Sequence, residues 1–373
     1  MRRYDVDYLR VIVFGLLIFY HVGMFFVPWG WHIKNAIIYG KLIFPMLFVN
    51  QWRIPLLFII SGIGTYYALS KRNGKQFTGE RLKRLLIPLA AGILFIIPPQ
   101  VYLERLDKGQ FLGNYFEFYP THAFTGVYPE GNFSWHHLWF LPYLLLFSLI
   151  FAPAFLYLCK HPATVFLRFL GKTVIRRFGL YVFILPLFVW ELFLEPYFPS
   201  THALFGDWYN LFHYATLFFS GFMLVSLKDV YWETVKKGRR LYLIVGLIAF
   251  SLLLLLWYGT DTFQGKDVLL AFIKACNLWS WCLAGMGYAA TYLNKESKGL
   301  KYSNEAVYPF YILHQTVLVA LGFYLKDLDW AFFPKFTMMV IGTFGISWLI
   351  YEFGIRRYRF IRPLFGLKNQ STN

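Results

Sequence analysis

Apolar runs long enough to cross a bilayer recur from one end of this chain to the other. They lie near 8–27, 52–70, 85–103, 137–158, 179–195, 210–227, 241–258, 268–292, 305–324 and 336–354. A spanning helix needs roughly 20 predominantly apolar residues, and the runs are of that order. The pattern predicts an all-α, polytopic integral membrane helical bundle with about ten transmembrane helices. Pro142, Pro186 and Pro309 fall inside these runs, as membrane helices allow. No internal repeat, low-complexity tract or soluble domain separates them. Residues 1–373 are therefore expected to form one membrane domain, with a short cytoplasmic tail from about 355.

The first run carries two polar exceptions, Arg10 and His21. Eleven residues apart, at roughly 100° each, they make three turns plus about 20°, so they share a face about 16 Å apart along the axis. Charged or titratable groups at membrane depth are costly and face a protein interior or a water-filled cavity. One stripe of this helix is thus expected to look inward with polar chemistry at two depths.

Composition agrees: the chain is 58% hydrophobic and only 15% charged, which excludes an ordinary soluble domain. A net charge of +17 invites a nucleic-acid partner, but its distribution argues against one. With the N-terminus inside and the runs alternating, the inner segments collect Arg2 and Arg3, Lys71 to Arg84, Lys160 to Arg177, Lys228 to Arg240, Lys295 to Lys301, and Arg356 to Lys368. The outer segments hold Lys34, Lys41, Arg105, Lys108, Lys266, Lys326 and Lys335. This is the positive-inside asymmetry, and it puts both termini in the cytoplasm. Asp5 and Asp7 follow the first arginines and no cleavage site follows the first run, so that run is expected to stay. Cys159, Cys276 and Cys282 form no metal spacing and no disulfide framework, and no metal site is expected.

Several residues carry candidate chemistry. Asp7 and Arg10, three apart, are neighbours on a helix surface. Arg10 reads equally as a snorkelling edge residue and as a functional cation. His21 lies beyond snorkelling reach of the inner surface. It suits proton transfer near neutral pH, and it suits a hydrogen bond to a neighbouring helix; both readings stand. Arg53 opens the second run, which continues to Ser61-Gly62, the kind of small pair used where membrane helices pack closely. Arg81 and Arg84 enter the third run from inside, either as topology charge or as a clamp for phosphates. His137 and Trp139 open the fourth run on the outer side. Tyr308, Tyr311 and His314 are spaced by three and line one polar stripe of the ninth. The long outer segment from Glu104 to Trp135 is dense in aromatic rings, suited to stacking on sugars or to lying on the outer leaflet.

Together these motifs resemble the bacterial membrane acyltransferase 3 family along nearly the whole chain. The likeness rests on Asp7-x-x-Arg10 with His21 at the R-x10-H spacing, Phe58-Ile59-Ile60-Ser61-Gly62, the Arg81/Arg84/Pro88 pattern, His137-Leu138-Trp139-Phe140-Leu141, and His314-Gln315. Trp31-His32, Trp52-Arg53 and Pro98-Pro99-Gln100 look most like the branch that succinylates periplasmic glucans. The resemblance implies an enzyme of the inner (cytoplasmic) membrane that moves an acetyl or succinyl group from cytoplasmic acyl-coenzyme A to a carbohydrate or glucan hydroxyl at the outer side. The donor would be a co-substrate, with no permanently bound cofactor. On this reading His21 and Arg10 are catalytic, and Arg81 and Arg84 bind the donor. Arg53, Ser61, His137, Trp139 and His314 bind substrate. Direct transfer and an acyl-histidine intermediate are both open. The rival reading is a multi-pass transporter or flippase of a polar or anionic substrate, with the intramembrane Arg, His and Glu191 on its path.

The topology is directly testable. A reporter fused at Asn373 should report the cytoplasm, and one inserted between 104 and 135 the opposite side. An external C-terminus would overturn the charge-based orientation.

Overall fold

The computed structural model describes residues 3–259 and 262–368; Arg2 and the fusion point Asn373 lie outside that range. Among the described residues the chain is helical, with one isolated bridge between Val127 and Phe133. In chain order the helices are α1 (Tyr4–Phe26), α2 (Gly40–Leu69), α3 (Gly74–Asp107), α4 (Tyr115–Thr121), α5 (His136–Lys160) and α6 (Val165–Val174). Then follow α7 (Gly179–Phe193), α8 (Trp208–Ser226), α9 (Asp229–Tyr258), α10 (Lys266–Tyr292), α11 (Lys298–Leu325) and α12 (Phe332–Ile355).

Each of the ten apolar runs falls on a helix, but eight helices among the described residues are long and apolar enough to cross a membrane. The two exceptions have physical causes. The fifth run folds as α7, the 15 residues Gly179–Phe193, which begin as a 3-10 turn over Gly179–Phe183 and are short of a bilayer's width. The sixth, α8, has 19 residues, but Asn210 and His213 dilute its apolar stretch. Both side chains are buried, so its polar groups face protein.

The chain divides into two compact units, each assembled from three separated segments. The first comprises Met1–Val13, Phe48–Gly79 and Tyr143–Leu300; the second comprises Phe14–Leu47, Glu80–Pro142 and Lys301–Asn373. In the first, α2 and α8 touch backbone to backbone. A Cβ on Gly62 would lie 2.0 Å from the Phe218 carbonyl oxygen, and one on Gly221 would lie 2.1 Å from that of Ile59. Glycine alone permits this approach, so the Ser61-Gly62 pair marks close helix packing, as its composition suggests. Elsewhere in this unit Lys274 of α10 pairs with Glu191 of α7 at 3.3 Å. Arg53 is buried and donates to Asn50 at 2.6 Å, and Arg10 meets Asp7 at 3.5 Å.

In the second unit, prolines shape α3. Two stretches, Leu82–Leu86 and Gly92–Ile96, widen into π-helix. Pro88 and Pro98 follow them and supply no N–H, so the carbonyls four residues back, of Arg84 and Leu94, lose their helical partner. Both are repaid by tyrosines: Tyr308 donates to the Arg84 carbonyl at 2.8 Å and Tyr119 to that of Leu94 at 3.1 Å. Freed backbone in a membrane helix must find such partners. The segment beyond Ile355 folds back on this unit, with Arg362 buried and paired with Glu305 at 3.2 Å.

The glycine contact in the first unit yields a stability prediction. Gly62→Leu and Gly221→Leu should each cost about 1–3 kcal/mol by overpacking. Gly345→Ala, whose added Cβ meets nothing within 4 Å, should cost far less. Thermal melting of the three variants in detergent tests this; equal melting temperatures would show that the close approach is not needed.

Candidate active site

The second unit holds a histidine cluster built by α1, α3, α5, α11 and the segment after α1. His21 stands near the end of α1. Val22, Phe25 and Phe26, which follow it, are fully buried against Leu318 and Val319 of α11 and Met339 of α12. The end of α1 leaves four carbonyls without helical partners, and all are met. Val27 N reaches Gly23 O, the Lys34 ammonium reaches Met24 O at 2.5 Å, Asn35 N reaches Phe25 O, and Tyr39 N reaches Phe26 O. Burial pushes the Lys34 amine down to about 8. This cap turns the chain sharply and returns Trp31 and His32 beside His21.

On α11, His314 is fully buried one turn beyond Tyr311. Its Nδ1 lies 2.7 Å from the Tyr311 carbonyl and 3.2 Å from that of Phe310. A carbonyl only accepts, so Nδ1 carries the proton and Nε2 the lone pair. Nε2 lies 2.8 Å from His21 Nδ1, with the two rings side by side, their centroids 5.0 Å apart and their planes within 7°. His21 Nδ1 is therefore the donor, which leaves the lone pair of that ring on Nε2. One backbone carbonyl sets the tautomer of both imidazoles.

His137 enters from the first turn of α5. Its Nε2 donates to the Ile312 carbonyl at 3.0 Å, and Tyr311 OH donates back to the His137 carbonyl at 2.6 Å. These reciprocal bonds lock α5 against α11 and hold the His137 ring 5.3 Å from His314. On the other side, Gln315 Nε2 donates to His32 Nε2 at 3.0 Å, and His32 Nδ1 bonds the Glu104 carboxylate in a very short contact. Glu104 is fully buried, and it also receives Lys108 at 2.5 Å and Tyr128 OH at 3.2 Å. Burial and this carboxylate hold the Tyr128 phenol well above its usual range, so it stays a donor. Buried Arg105 anchors the segment after α3 to that helix through Asn132, Gln110 and the carbonyls of Pro129 and Gly131. The aromatic residues of that segment largely pack on one another, with Phe118 buried between Tyr102 and Phe111, while Leu112 and Phe116 are exposed.

Of the residues singled out in the sequence, the structure brings together His21, His137 and His314. Trp139 follows in the same turn as His137, half-buried. Arg81 and Arg84 lie at the start of α3, half-buried and exposed respectively, with Arg84 inside the first π-helical stretch. Arg10, Arg53 and Ser61 belong to the first unit. Sequence reasoning gave no role to Glu104 or His136, none to His32 or Gln315 beyond their place in a resemblance, and gave Tyr128 only a place among the aromatic rings of its segment. An acid at the end of an apolar run, Glu104, was the one local signal of a buried carboxylate. Among the described residues no three His, Cys, Asp or Glu side chains are arranged to hold a metal ion.

The arrangement is a hydrogen-bonded pair of imidazoles of fixed tautomer, with His314 buried and His21 half-buried. Residues 3–352 match the acyltransferase 3 family, described as an acyltransferase domain. Proteins named "Glucans biosynthesis protein C" from Salmonella paratyphi B and Salmonella enteritidis are each 23% identical over 368 residues, covering 95% of this chain and 92% of theirs. No solved structure matches the chain. The chain is a multi-pass membrane O-acyltransferase and belongs to the acyltransferase 3 family.

Proposed function

We propose that this enzyme transfers an acyl group from acyl-coenzyme A to a carbohydrate hydroxyl, with His21 Nε2 as general base. The observation that carries the reading is the hydrogen-bond chain from the Tyr311 carbonyl through His314 to His21. His21 Nε2 takes the hydroxyl proton as the acceptor oxygen attacks the thioester carbonyl. The tetrahedral intermediate collapses, the C–S bond breaks, and the same proton passes to the departing thiolate. Each step balances without another acid or base. His314 shares the positive charge of the transient imidazolium through its Nε2 lone pair and keeps the ring oriented. The relatives' name points to a glucan as the acceptor. Acceptor binding at the outer side follows from the depth of His21 and from the positive-inside orientation. Arg81 and Arg84, at the cytoplasmic mouth on that orientation, suit the several phosphates of coenzyme A.

His21→Ala should lower kcat by about 10²–10⁴, the usual worth of general-base catalysis, in a protein that still inserts and melts normally. His314→Gln, whose amide oxygen accepts as Nε2 does, should keep more activity than His314→Leu. Both readouts come from mass spectrometry of glycans incubated with acetyl- or succinyl-coenzyme A. Near-normal turnover by His21→Ala would end the assignment.

Arg84→Ala should raise KM for the acyl donor more than it lowers kcat, because phosphate contacts far from the reacting carbonyl supply uniform binding. The substitution leaves the Arg84 carbonyl, and hence the bond from Tyr308, in place. Arg84→Lys should rescue only part, since lysine keeps the charge without the fork. Unchanged donor affinity on titration with coenzyme A would return Arg84 to a purely topological role.

A further inference from the structure

Six ring side chains in the second unit form a closed circuit. His137 neighbours His314 at 5.3 Å, and His314 neighbours His21 at 5.0 Å. His21 neighbours Trp31 at 5.2 Å, Trp31 neighbours His32 at 5.2 Å, and His32 neighbours His136 at 5.1 Å. His136 adjoins His137 in the chain and closes it. Most polar atoms on this circuit are paired. Three buried ones have no hydrogen-bond partner among the described residues: Trp31 Nε1, His136 Nε2 and His137 Nδ1. Buried polar groups in folded proteins nearly always have a partner, so orphans of this kind mark a place where a ligand or water completes the pairing.

The chemistry of two of these atoms is fixed. The indole N–H of Trp31 only donates. His137 Nε2 donates to the Ile312 carbonyl, so its Nδ1 carries the lone pair and only accepts. Each adjoins the His21–His314 pair directly: Trp31 neighbours His21, and His137 neighbours His314. A group that satisfies both kinds of atom must offer lone pairs and a proton together. Hydroxyls do so. A thioester carbonyl or a carboxylate only accepts; it would suit Trp31 and leave the His137 lone pair facing another.

We propose that Trp31 Nε1 and His137 Nδ1 form a hydroxyl-binding subsite for the acceptor sugar, on either side of the His21–His314 pair. Trp31 Nε1–H donates to a sugar hydroxyl oxygen, and His137 Nδ1 receives a sugar hydroxyl proton. The subsite would therefore select polyhydroxylated acceptors by pairing rather than by charge, in line with the absence of any full charge on either side chain. The proposal rests on the reading of His21 as the base of an acyl transfer to carbohydrate.

The test is a kinetic comparison with acetyl- or succinyl-coenzyme A and a panel of short linear glucose oligosaccharides. Trp31→Phe keeps an aromatic ring beside His21 and removes the N–H. It should raise KM for the oligosaccharide by about tenfold, the usual effect of one lost hydrogen bond, with KM for the donor unchanged. His137→Asn, which sets an amide oxygen near the place of Nδ1, should retain more acceptor affinity than His137→Leu. An unchanged acceptor KM in Trp31→Phe would overturn the subsite, leaving those atoms to ordered water. A wild-type enzyme that acylates no oligosaccharide of the panel would count against a sugar hydroxyl and overturn it as well. Failure of the base assignment is separately visible: His21→Ala would then turn over normally while Trp31→Phe still raised the acceptor KM.

Discussion

The hydrogen bond between His21 and His314 depends on a carbonyl that neither residue owns. Imidazole can bind through either nitrogen, and a pair of imidazoles left to themselves has several proton arrangements. The Tyr311 carbonyl removes that freedom by claiming His314 Nδ1–H. Everything nearby then serves to keep α1 and α11 at the separation this bond needs. The capped end of α1, the packing of Phe25 and Phe26 on α11, and the reciprocal bonds between His137 and α11 all act on the same distance. Movement of either helix by about 1 Å would stretch a 2.8 Å contact beyond hydrogen-bond range.

The same unit shows how a membrane interior handles irregular backbone. Pro88 and Pro98 break α3 where a soluble helix would end, yet the chain continues through two π-helical stretches to Asp107. The freed carbonyls are bonded by tyrosines from α11 and α4. The break is thereby converted into a cross-link, and it fixes the start of α3, with Arg81 and Arg84, against the helix that also carries His314. The start of α3 and the histidine pair are tied through one polar stripe, Tyr308, Tyr311 and His314.

That stripe was legible in the sequence, because residues three apart on a helix share a face whatever surrounds them. So was the Arg10/His21 spacing, since α1 is one unbroken helix. Hydropathy placed a helix at every apolar run; it responds to average composition, and eight helices among the described residues meet the length and hydropathy of a span, while α7 is shorter and α8 carries buried polar groups. The partner of His21 could not be read locally, because His314 lies 293 positions away. Nor could the pairing of His32 with Glu104 across 72 positions. Contacts of that range leave no period in the chain. Two interleaved units were equally hidden, since their boundaries fall inside helices rather than in loops of changed composition.

The choice of a neutral partner for His21 follows from where it sits. Many general-base histidines are oriented by a carboxylate, which also stabilises the imidazolium. Deep in a bilayer-embedded protein an ionised carboxylate carries a heavy desolvation cost unless it is fully paired. A second imidazole offers an acceptor lone pair with no net charge, so the resting pair is electrically neutral. The carboxylate that the site does contain, Glu104, stands at the end of α3, where Lys108, 43% exposed, reaches it from solvent and His32 and Tyr128 complete its bonds. The carboxylate is thus met by a cation that reaches it from solvent, while the His21–His314 pair is held by neutral hydrogen bonds. With that division, the groups around the His21–His314 pair are neutral dipoles whose orientation is already set by their own hydrogen bonds.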